Sequence, residues 1–187
     1  MDRFDLVTKS FKIGHVKTII HYLRLLTLGL WLGAAVFFGA AVAPTLFGVL
    51  RGAQLANASE LAGTMVQRLV ATINHGGFEI SLFLLVTGYF MSKRESRVVR
   101  FAEMSTLAIM AIMTGVSHWI ISARMLALRA AMQTPIDQIA ANDPRRIAFD
   151  ALHGYSVAAM GVAIIAGLLA FLIMARPKAV AVSEARP

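Results

Sequence analysis

The chain has 187 residues, of which 58% are hydrophobic and 15% charged, with a formal net charge of +8 and no cysteine. Soluble domains carry roughly 45–50% apolar and about 25% charged residues. A fold of this length cannot hide the excess from water, so lipid is the expected solvent. The missing thiols exclude a disulfide framework, thiol catalysis and thiolate metal ligation.

Residues 1–24 mix Phe4, Leu6, Phe11, Ile13 and Ile19 with Lys9, Lys12 and Lys17. That mixture predicts an amphipathic segment on the cytoplasmic membrane surface. The first apolar run, Leu25 to Ala43, holds no charge and has nearly the length a span requires. Arg24 and Pro44 bracket it. Ala41-Val42-Ala43 resembles a small-x-small cleavage site, but the long charged leader and Pro44 argue for a retained span. The second run, Leu69 to Met91, is interrupted by Thr72, Asn74, His75, Glu79 and Ser81. Asn57 to Glu60 reads as a cap that starts this helix well before the membrane. Lys93, Arg94, Arg97 and Arg100 form a basic turn, and the third run continues from Leu107 to about Ile121. Thr134-Pro135 ends its extension. Asn142-Asp143-Pro144 supplies an N-cap and a first-turn proline for the fourth helix, whose apolar run covers Ala151 to Ala175.

These elements predict an all-α integral membrane four-helix bundle over residues 25–175, with spans at about 25–44, 69–92, 103–123 and 148–175, and a tail at 176–187. The basic residues flank the spans instead of forming one stripe, which points to membrane lipids and away from nucleic acid. Of the 18 Lys and Arg residues, twelve fall on one side of such a bundle and six on the other. The positive-inside rule then places the N- and C-termini in the cytoplasm of a cell's inner (plasma) membrane.

Three histidines stand at matching depths. His75 lies seven residues beyond Arg68, His118 six before Arg124 and His153 seven beyond Arg146, roughly 9–10 Å along each axis from the outer ends. Glu79 is one turn deeper than His75 on the same helical face. An ionised carboxylate at this depth costs about 2.5–3.5 kcal/mol if it faces lipid, so it is expected to face the bundle, a partner or water. The cluster predicts a cofactor-binding site at His75, His118 and His153. Haem b suits axial histidines from facing helices. A copper or zinc ion suits three imidazoles with Glu79. Either would serve electron transfer or metal handling, within a larger membrane complex or a homo-oligomer. Two other readings stand beside this one: a structural or accessory subunit held by interhelical hydrogen bonds, and a proton-coupled or solute transporter using Glu79. No catalytic triad, phosphate loop or zinc-protease motif is present, so no enzymatic activity is assigned.

The first helix reads HYLRLLTLGLWLGAAVFF from His21, followed by APTLF at Ala43 to Phe47. The fourth opens FDALHGYS from Phe149. With Trp31, Gly33, Pro44, Phe47, Gly63, His153 and Ser156, this pattern resembles a four-span membrane family of unknown function, DUF4149-like and related to transmembrane protein 205. It is more distantly similar to copper-resistance D-type membrane proteins. The resemblance covers most of the chain and implies a four-helix architecture without a settled reaction. Asn74, His75 and Glu79 are not part of that pattern.

Overall fold

Each apolar run is the lipid-embedded part of a longer helix. The structure, a computed structural model, describes residues 3–55, 57–91, 96–132 and 134–176, with side chains from residue 15 onward except Asp137. The basic side chains at 93 and 94, the segment beyond 176 and the amphipathic character of residues 1–14 lie outside the described residues and side chains. Helix α1 covers Arg3–Phe37 and α2 covers Ala43–Gly52, with a π-helical segment Phe38–Val42 between them. Helix α3 is Ala58–Met91 and α4 is Arg97–Gly115. A second π segment, Val116–Ile121, leads into α5, Ser122–Met132. A short 3₁₀ turn at Ile136–Gln138 precedes α6, Pro144–Met174. Among the described residues, four stretches are long and apolar enough to cross a membrane: His15–Gly52, Ala58–Met91, Arg97–Met132 and Pro144–Met174.

The helix runs through Pro44, the residue that brackets the first apolar run. A proline has no N–H and clashes with the carbonyl four residues back. The π segment solves this locally: Ala43 N–H bonds Phe38 O, five residues back, and Pro44 then sits in the first turn of α2. The other ends follow ordinary capping chemistry. Ser96 Oγ accepts from Val99 N–H, and Asp143 accepts from Arg145 N–H at 2.8 Å ahead of Pro144. Hydrogen bonds from the Arg145 side chain and backbone hold the Asp143 carboxyl down to about 2, so this cap keeps its charge until the pH falls through that value.

The contacts set the helix directions. Arg24 meets Leu84 while Trp31 meets Ile73, so α1 and α3 are antiparallel. Gly88 packs on Glu103 while Asn74 meets Ser117, so α3 and α4 are antiparallel as well. Gly167 packs on Leu32 and Phe171 on Gly29, which places α6 antiparallel to α1. Helix α1 packs on α3 and α6, and α4 packs on the same two. The bundle is therefore an up-down ring in which α1 stands diagonal to α4, and α3 diagonal to α6.

Helices α1, α3 and α6 each bury one seam, whereas α2 buries none. Helix α1 turns Arg24, Leu28, Trp31 and Ala35 inward, and Phe38 of the π segment continues the seam. Helix α3 buries Asn74, Gly77, Ser81, Leu84 and Gly88, and α6 buries Ala159, Ala163, Ala166, Gly167 and Ala170. These seams follow the alternating three- and four-residue spacing of helix packing. Their small residues allow the close backbone approach that drives association where lipid removes the hydrophobic force. Trp31, Leu28, Leu84, Leu107 and Met110 fill the centre.

Candidate functional site

Helix α3 carries a second seam on its opposite side. Thr72, His75, Glu79, Leu82 and Val86 recur at the same spacing, and all are exposed. His75 Nε2 and Glu79 Oε1 approach to 3.1 Å, with 51% and 66% of their side chains exposed. Glu79 lies about midway along the apolar run 69–91. The carboxylate expected to face the bundle, a partner or water thus points out of this bundle at membrane depth.

The second π segment brings its own residues up to this pair. Its widened turn directs Ser117 and His118 toward α3 together. Asn74 Nδ2 donates to Ser117 Oγ at 2.9 Å, and His118 Nδ1 lies 3.1 Å from Ala71 O. Ser122 Oγ donates to Ser117 O, five residues back, at 2.9 Å. The His118 ring comes within 5.1 Å of His75, centroid to centroid. Trp119 packs edge-on against His118 at 4.8 Å and Phe78 at 4.7 Å. Such π bulges recur at functional positions because they re-aim side chains within an otherwise regular helix.

Two further polar features lie inside. Trp31 Nε1 donates to Ile73 O at 2.9 Å, with its indole laid over Gly77. At the basic end, Arg24 of α1 and Glu103 of α4 form an ion pair across the diagonal of the ring, and both are almost fully buried, at 3% and 2% exposure. Arg24 also donates to Leu84 O at 3.2 Å. Gly88 makes room for them, since a Cβ there would lie 2.8 Å from Arg24 Nη2 and 3.0 Å from Glu103 Oε1.

Of the residues singled out in the sequence, the structure brings His75, Glu79 and His118 to one surface. His153 does not join them: it lies exposed on α6, and α6 stands diagonal to α3. Among the described residues, no three His, Asp or Glu side chains are placed to hold a metal ion together. The bundle interior at this level is occupied by Trp31, Asn74, Ser117 and Met110, not by a slot between imidazoles. Gly154 and Gly161 line no contact, whereas Gly167 packs against Leu32, Trp31 and Met110. Sequence reading missed the Arg24–Glu103 pair. Its available signal was Glu103, an acid three residues inside Arg100 on a membrane helix, which requires a buried cation.

The fold defines a four-span helical membrane protein. The sequence profile of a family described as a domain of unknown function (DUF4149) matches residues 26–134, more than half of the chain, and the protein belongs to that family. No curated protein and no solved structure gives a significant match.

Proposed function

We propose that this protein is an accessory subunit that works by lateral association with protein inside the bilayer, through the outer face of α3. The observation that carries this reading is the exposed His75–Glu79 pair at mid-span. Left against hydrocarbon, an ionised carboxylate costs about 2.5–3.5 kcal/mol or more. A protein partner that covers it removes this cost and replaces it with hydrogen bonds across the interface. The aromatic rings of Phe78 and Trp119 beside the pair offer the apolar contact that such interfaces use. The excess of basic residues at the Arg24 end orients both termini toward the cytoplasm, in a cell's inner membrane.

The narrower reading, a transition-metal ion, draws support from His118. If its Nδ1–H donates to Ala71 O, Nε2 keeps its lone pair, the tautomer that metal-ligating imidazoles adopt. His75 and His118 would be the ligands on this chain, and a partner would complete the set. Haem fits less well, because the two rings lie directly against each other at 5.1 Å. A transport path through Glu79 has no support in its position on the outer face.

The assembly reading is tested by extracting the protein from its membrane with the surrounding lipid and measuring particle mass. The wild type is expected to run as an assembly well above the 20.2 kDa chain. The variant His75→Leu/Glu79→Leu is expected to run as a single chain with unchanged helical content. A wild type that is a single chain in native lipid overturns the reading.

A further inference from the structure

We infer that the partner on this face is a second copy of the same chain, related by a two-fold axis along the membrane normal. The inference rests on the assembly reading above and names its occupant. Two copies inserted with the same topology can be related only by an axis of that direction. Their α3 helices then run parallel and meet level with level, residue against the same residue.

The His75–Glu79 surface is self-complementary under that operation. Helical side chains lean toward the helix N-terminus, and the Glu79 carboxylate already reaches up one turn to His75 Nε2 within its own chain. Two such pairs brought together place each carboxylate between its own imidazole and the imidazole of the other copy. Across the axis the two carboxylates stand at one level and the two imidazoles at another, so each acid has an imidazole of either copy one turn away. The flanking residues suit a parallel contact. Thr72, His75, Glu79, Leu82 and Val86 follow the three-four spacing of a left-handed helix pair. Beside them, Gly76 has nothing within 4 Å of where a Cβ would stand, which leaves room for a second backbone. The exposed polar side chains of α6 include Asp150, His153 and Tyr155, and pairing that face with Glu79 would join unlike surfaces. Such a contact propagates as an open chain unless a ring closes, whereas the α3 contact closes with two copies.

The chain has no cysteine, so introduced thiols report cleanly. Thr72→Cys and Leu82→Cys stand on the proposed seam. Val162→Cys and Ile165→Cys stand on the exposed side of α6. Oxidation with copper-phenanthroline in native membranes is expected to give a species of twice the chain mass at positions 72 and 82. At 162 and 165 the yield should be roughly tenfold lower, and adding Glu79→Leu to the seam variants should lower theirs by a similar factor, which corresponds to about 1.4 kcal/mol of lost coupling. Equal yields at all four positions would signify random collision and overturn the proposal. Absence of self-linkage at 72 and 82 also overturns it. In that case a lipophilic photo-crosslinker attached to the thiol of the Leu82→Cys variant separates the two claims. Capture of a chain of different mass leaves lateral assembly standing without the second copy, and capture of lipid alone removes both.

Discussion

Replacing Arg24 with leucine is expected to destabilise the bundle by about 3–5 kcal/mol, and Glu103→Leu by a similar amount. Each single change strands an ionised partner where neither residue is more than 3% exposed. Removing one charge of a buried pair costs more than the pair contributes, because the remaining charge keeps its full desolvation penalty. The double variant Arg24→Leu/Glu103→Leu is therefore expected to lie within about 1–2 kcal/mol of the wild type. Reversible unfolding in mixed micelles, followed by far-UV circular dichroism across the four-variant cycle, measures this coupling. Additive single and double effects would show that the two side chains do not depend on each other. The pair also joins α1 to α4 across the ring, so the Arg24→Leu protein should lose contacts at the basic end before the rest of the bundle opens.

The second large effect concerns Gly77. Its Cβ position lies 2.6 Å from Trp31 Nε1 and 2.8 Å from Cε2, closer than real contacts allow. The indole cannot swing aside cheaply, because Trp31 is 5% exposed and donates to Ile73 O. Gly77→Ala is expected to cost about 1–3 kcal/mol through overpacking, although alanine is the better helix former by about 1 kcal/mol. Trp31→Leu should cost stability by itself and also relieve the clash, so Gly77→Ala should be nearly neutral in that background. The same unfolding measurement reads the cycle. An equal cost of Gly77→Ala with and without the indole would refute the packing argument. Gly161, on α6 and open to its surroundings, supplies the internal control.

The membrane fold was legible because bulk apolarity and flanking charges report it directly. Helix ends were less legible. The apolar run marks only what touches hydrocarbon, but capping residues made two starts readable outside it, Ala58 for α3 and Pro144 for α6. Pro44 bounds the apolar run without ending the helix, because a helix stop and a π-adjusted passage carry the same residue. In the site, spacing along a helix predicted depth well enough to single out His75 and His118 together. It could not predict azimuth or neighbour order, and those decide that His153 on α6 stands away from α3. Glu79 shows the same limit: its depth was readable, but its outward direction follows from which seam α3 buries. Arg24 and Glu103 were hidden for the opposite reason. Arg24 looked like an ordinary flanking charge, and only the antiparallel pairing of α1 with α3 and of α3 with α4 brings the two side chains to one level.

In the membrane, the outer face of α3 is expected to be covered by protein. A nitroxide on Leu82→Cys, with Ile165→Cys on α6 as the lipid-facing reference, reads this directly through collision with dissolved oxygen in native bilayers. The label at 82 is predicted to be restricted in motion and shielded from oxygen, and Glu79→Leu should restore collisions to the level seen at 165. A label at 82 that meets oxygen as freely as the one at 165 in the otherwise unaltered protein would contradict the account.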